Sequence, residues 1–162
     1  MHESAKENYE AQLESDMRSR EYLTLLQSSQ PDHPALMRFN DWASAVEFTR
    51  SRSSDRKTKN RIFAAVLQVR SDAGDSRWNT VILAMLLPAL NSIYKRTFAW
   101  DREPDELWQN IVTTCLEAVR EAEQKHNSRR LIERIYSTTV SARGIFTLAL
   151  SKNQSVHGSV TV

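Results

Sequence analysis

The sequence predicts an all-α fold, a compact bundle of about five to six helices around a kinked, strongly apolar central helix. Three observations predict it. Apolar residues recur at spacings of three and four, the period of one helix face. The 162 residues include only three glycines and four prolines, few for the many tight turns of a β-rich chain. A short polar residue able to cap a helix precedes most of the periodic runs. With 40% hydrophobic residues, the chain can build a real core.

Residues 1–30 read as an acidic N-terminal helix or arm. Glu3, Glu7, Glu10, Glu14, Asp16 and Glu21 outnumber Lys6, Arg18 and Arg20 there. Tyr9, Leu13 and Met17, then Tyr22, Leu25 and Leu26, form a thin apolar stripe. The expectation is a solvated, partly frayed helix. Pro31 and Pro34 break the chain next. Asn40 or Asp41 then caps a helix through Arg50, with Trp42, Ala45, Val46 and Phe48 or Thr49 on its face. Ser54 or Asp55 caps another helix to about Arg70, burying Ile62, Phe63, Val66, Leu67 and Val69.

Gly74 marks a turn, after which Asp75 or Ser76 caps the most apolar helix of the chain. Its face is Trp78, Val81, Ile82, Met85, Leu86, Ala89, Leu90, Ile93 and Tyr94. Pro88 lies within it and is expected to kink or split it, because proline removes one backbone hydrogen bond and clashes with the preceding turn. Residues 97–102 form the loop that follows, with Phe98 and Trp100 closing over the core.

Residues 103–124 predict a helix that opens with acids and Pro104, both suited to a first turn. Leu107, Trp108, Ile111, Val112, Cys115, Leu116 and Val119 make its apolar face. Gln109, Asn110, Thr113 and Glu117 lie largely off that face, available to a partner. A basic turn leads to a last helix over residues 128–146, capped by Asn127 or Ser128. Its polar face is basic, with Arg129, Arg130, Arg134 and Arg143, and Glu133 is the only acid between Lys125 and Val162. Residues 151–162 read as a flexible tail.

The run Asp105-Glu106-Leu107-Trp108-Gln109-Asn110-Ile111-Val112, the basic turn and Leu131-Ile132-Glu133-Arg134-Ile135-Tyr136 resemble region two of bacterial RNA polymerase sigma factors, of the extracytoplasmic-function type. The likeness extends back over residues 76–150, the later part of a helical domain taken as 31–150. It implies that Asp105, Glu106, Gln109, Asn110 and Thr113 bind the polymerase core on a coiled coil of its large subunit. It also implies that Arg129, Arg130, Arg134, Tyr136 and Arg143 meet promoter DNA. Asn110 stands where that family usually has an acid, and no helix-turn-helix of the region-four kind follows, so the expectation is a region-two-like domain alone or a piece of a longer protein.

A second basic cluster, Arg50, Arg52, Arg56, Lys57, Lys59 and Arg61, is a secondary nucleic-acid candidate. Such residues neutralise phosphates without reading sequence. Without an interleaved aromatic residue, base stacking on it is not expected. The alternative to the transcription reading is a non-catalytic helical interaction or regulatory module, binding a protein partner or itself without reading DNA.

The remaining chemistry points away from catalysis. His2, His33, His126 and His157 form no i,i+4 ligand pair, so neither a metal nor another cofactor is expected. Glu117 and Glu121 share a helix face but lack the Glu-x-x-His partners of a di-iron bundle. No phosphate loop or nucleophile elbow occurs, and an enzyme is not expected. Cys115 reads as a small core residue, and a lone thiol fits a reducing cytoplasm. The longest apolar run, residues 81–90, is too short to span a bilayer.

Overall fold

The computed structural model describes residues 4–98 and 103–124. It is all-α. Six α-helices and two single 3₁₀ turns occur among the described residues, and no strand. The helices are α1 (Ala5–Met17), α2 (Arg20–Ser29), α3 (Trp42–Arg50), α4 (Arg56–Ala73), α5 (Arg77–Phe98) and α6 (Pro104–Gln124).

Local chemistry sets most of the boundaries. Ser4 and Glu7 form a capping box at the start of α1, each satisfying the other's backbone N–H. The Ser19 hydroxyl accepts from Tyr22 N–H and starts α2. Asp41 caps α3 by accepting from Ser44 N–H at 2.7 Å. Asp55 caps α4 through Thr58. Gly74 ends α4 in the left-handed region, at φ 62°, where its lack of a Cβ removes the steric cost. The expected break at Pro31 and Pro34 is built from the two 3₁₀ turns, Gln30–Asp32 and Pro34–Leu36. The Gln30 side-chain amide pins it by donating to the Leu36 and Phe39 carbonyls at 3.0 and 2.8 Å.

Helix α5 is the centre of the bundle and packs against α1, α3, α4 and α6. Its residues 81–87 are all buried. A helix that is apolar all round belongs in the middle of a fold. The sequence face omitted Leu83, Ala84 and Leu87, which are buried against neighbours on other sides. Trp42 of α3 meets Trp78 of α5 edge to face, with ring centroids 5.5 Å apart, a favoured arrangement of aromatic quadrupoles.

Pro88 does not split α5, which runs unbroken from Arg77 to Phe98. The missing proline N–H leaves the carbonyl four residues back, that of Ala84, without its helical donor. Arg50, the last residue of α3, supplies the replacement from Nε at 3.0 Å and Nη2 at 2.6 Å. Burial pushes the Arg50 guanidinium below its ordinary pKa, and Glu14 and Glu10 act in the opposite sense.

The N-terminal segment is two packed helices rather than a solvated, frayed one. Leu13, Met17, Tyr22, Leu25 and Leu26 all belong to the same core as α5. Glu7, Glu14 and Glu21 are exposed, Glu10 and Asp16 are half-buried, and Leu26 is completely buried.

Candidate docking surface on the sixth helix

Helix α6 has two contrasting sides. Leu107, Trp108, Ile111, Cys115, Ala118 and Val119 are buried, and Val112 and Leu116 pack against the core partly covered. Asp105, Glu106, Gln109, Asn110 and Thr113 are all exposed. Their spacing places them on adjacent turns of one outward stripe.

Trp108 fixes which way that stripe faces. It is 2% exposed. Tyr9 of α1 and Tyr94 of α5 meet its ring edge to face, at 5.8 and 5.9 Å between centroids. The Lys6 ammonium lies 5.3 Å from both the Trp108 and Tyr94 ring centres. Lys6 also pairs with Glu10 one turn along α1. With the indole held on several sides, α6 cannot rotate about its axis without breaking the aromatic cluster.

The acidic start of α6 serves two helices. Asp105 and Glu106 stand in its own first turn, at the positive end of its dipole. Asp105 Oδ1 also accepts from Ala5 N–H at 3.3 Å, at the start of α1. Asp105 therefore has an intramolecular role as well as a place in the stripe. Gln109, Asn110 and Thr113 are the stripe's outward polar side chains on the following turns.

Cys115 lies on the buried side at 0% exposure. Burial pushes its thiol up to about 12, so almost none is thiolate at neutral pH, and thiolate is the nucleophilic form. Burial also pushes the Tyr9 hydroxyl up to about 12, with Cys115 adding to the effect. No group of three or more metal-binding side chains occurs among the described residues.

The structure divides the secondary basic cluster. Arg52, Arg56, Lys57 and Arg61 are exposed at the α3–α4 corner and along α4, and Lys59 is half-buried. Arg50 turns inward onto Ala84. The nearby cleft of about 210 Å³, lined by Leu13, Glu14, Met17, Arg18, Val46 and Arg50 among others, mixes both signs of charge. The DNA-binding candidates Arg129, Arg130, Arg134, Tyr136 and Arg143 lie outside the described residues, as does the tail 151–162.

Sequence reasoning missed the contributions of Lys6 and Tyr9 to the α6 site. Tyr9 carried a signal, its spacing to Leu13 and Met17, but Lys6 carried none. No described helix is long and apolar enough to cross a membrane. Comparisons with protein families, curated proteins and solved structures gave no match.

Proposed function

We propose that the protein docks on the core of a bacterial RNA polymerase through the outward stripe of α6, in the manner of a sigma factor region-two domain, in the cytoplasm. The observation that carries this reading is the exposure of Asp105, Glu106, Gln109, Asn110 and Thr113 together on a helix whose opposite face is locked in the core. These are the residues that the resemblance to region two assigns to polymerase contact. A polar stripe on a rigid helix is pre-organised, so little side-chain and backbone freedom is lost on docking.

Promoter DNA is the second partner in this reading, met by Arg129, Arg130, Arg134, Tyr136 and Arg143. The exposed basic residues Arg52, Lys57 and Arg61 are suited to phosphate contacts of the sequence-blind kind.

The test is retention of bacterial core RNA polymerase by the purified chain, beside a Gln109→Ala, Asn110→Ala double variant. Both positions are exposed, so the variant keeps the fold. The reading expects retention by the native chain and loss by the variant. Equal retention by both removes α6 as the docking element.

A second reading, a helical interaction module that does not read DNA, is favoured by one observation. The five exposed residues of the stripe all lie on α6 itself. Polymerase-independent self-association in sedimentation, with no retention of DNA at low salt, is its expected signature.

A further inference from the structure

Helix α1 is held differently along its two halves. Its later half is anchored by Leu13 and Met17, both buried. Its earlier half buries no side chain fully. Glu7, Asn8, Ala11 and Gln12 are exposed, and Lys6, Tyr9 and Glu10 are half-buried. What holds these first turns is a set of polar and aromatic contacts to α5 and α6. Ala5 N–H donates to Asp105, Lys6 lies over Tyr94 and Trp108, and Tyr9 meets the edge of Trp108.

We infer that the first two turns of α1 are a detachable strap, with Lys6 seated in an aromatic notch made by Tyr94 and Trp108, and that its release opens this notch beside the already exposed N-terminal end of the α6 docking stripe. The consequence for docking rests on the function proposed above; the strap itself does not.

Local openings draw on segments with few buried apolar contacts, and in the first turns of α1 Tyr9 is the one hydrophobic side chain packed against the core. The Lys6 side chain is 17% exposed and its ammonium lies over both rings, so removing it takes away a tie to α5 and to α6 at once. Lys6 is also shared with Glu10 inside α1, so part of its charge is satisfied whether or not the notch is filled. Asp105 is the point of competition. A partner that draws the Asp105 carboxylate away removes the acceptor from the first N–H of α1. The vacated notch then presents two ring faces, and the group it accepts is an ammonium or guanidinium from the partner. Docking would thus exchange an internal lysine for an external cation.

The test is hydrogen exchange on the full chain, native and Lys6→Ala, followed by titration of each with bacterial core RNA polymerase. In the free protein, Lys6→Ala should speed exchange at the amides of residues 8–12 by roughly fivefold, about the size of one cation–π contact. The amides of residues 81–87 should not change. Lys6→Ala should also bind polymerase several-fold more tightly than the native chain. Unchanged exchange in residues 8–12, or exchange there as slow as in α5, overturns the strap. Polymerase affinity unchanged by Lys6→Ala overturns the competition at Asp105. Faster exchange with no polymerase binding by either chain supports the strap and defeats the docking function instead.

Discussion

The guanidinium of Arg50 occupies the hydrogen-bonding position at the Ala84 carbonyl that Pro88 cannot fill. Two residues 38 positions apart thereby cooperate through a third. Proline in a helix interior ordinarily costs about 3 kcal/mol, partly through a stranded acceptor. Here the acceptor is not stranded, because the last side chain of α3 reaches across to α5.

This relationship predicts a coupling. Arg50→Met should destabilise the protein by about 2 kcal/mol, the range for hydrogen bonds from charged groups. Its melting temperature should fall by roughly 4–8 °C. In a Pro88→Ala background, position 88 regains an N–H for Ala84, and Arg50→Met should cost about 1 kcal/mol less. Urea unfolding at constant slope measures both. The same cost in both backgrounds would show that Arg50 acts through packing alone.

Rising alkaline pH should destabilise the protein through Cys115. Burial holds the folded thiol up at about 12, above its ordinary value of 9.0. Between those values the unfolded chain releases a proton that the folded chain keeps. Stability is therefore full below pH 9 and falls as pH rises towards 12, at up to about 1.4 kcal/mol per pH unit for this group. Tyr9 adds to the fall above pH 10. Cys115→Ala should flatten the profile between pH 9 and 10. A wild-type profile already flat there would be inconsistent with a deeply buried thiol.

At the acidic end, Asp41 acts in the opposite direction. Hydrogen bonds from Ser44 hold its carboxyl below its usual value. A lowered folded pKa gives stability that is present above the unfolded carboxylate range and is lost as pH falls through the folded value. Asp41→Ala should cost about 1 kcal/mol at neutral pH, the usual worth of an N-cap. The difference from wild type should shrink below a pH of about 4. A gap that stays constant down to pH 2 would rule out the carboxylate as its source.

At Gly74 the cost of substitution should be conformational only. Nothing lies within 4 Å of where a Cβ would stand, but φ is +62°. Gly74→Ala should therefore lose about 1 kcal/mol, and Gly74→Asn less, because asparagine tolerates the left-handed region. Equal stability of all three forms in thermal unfolding would mean that α4 can end without that geometry.

Much of the fold was legible in the sequence because its signals are local. The caps at 40–41 and 54–55, each narrowed to two neighbouring residues, the turn at Gly74 and the apolar face of α6 all follow from short-range periodicity and side-chain chemistry. What could not be read is long-range. Leu83 and Leu87 look like off-face residues until α5 is seen surrounded. Arg50 belongs to a basic run by sequence and to a proline-relieved carbonyl by structure. The N-terminal stripe looked too thin to bury, because its surrounding acids masked five residues that reach the core. At α6, the outward polar positions were legible from periodicity. The hold of Lys6 and Asp105 on one another's helices was not, since it joins residues about a hundred positions apart.

The most direct test of the docking surface is a photo-crosslinking amino acid placed at position 109, with a control at the exposed position 27 on α2, in the presence of bacterial core RNA polymerase. The account predicts a crosslink from position 109 to the large polymerase subunit and none from position 27. Failure of position 109 to crosslink, or equal crosslinking from position 27, would contradict the claim that α6 is the docking face.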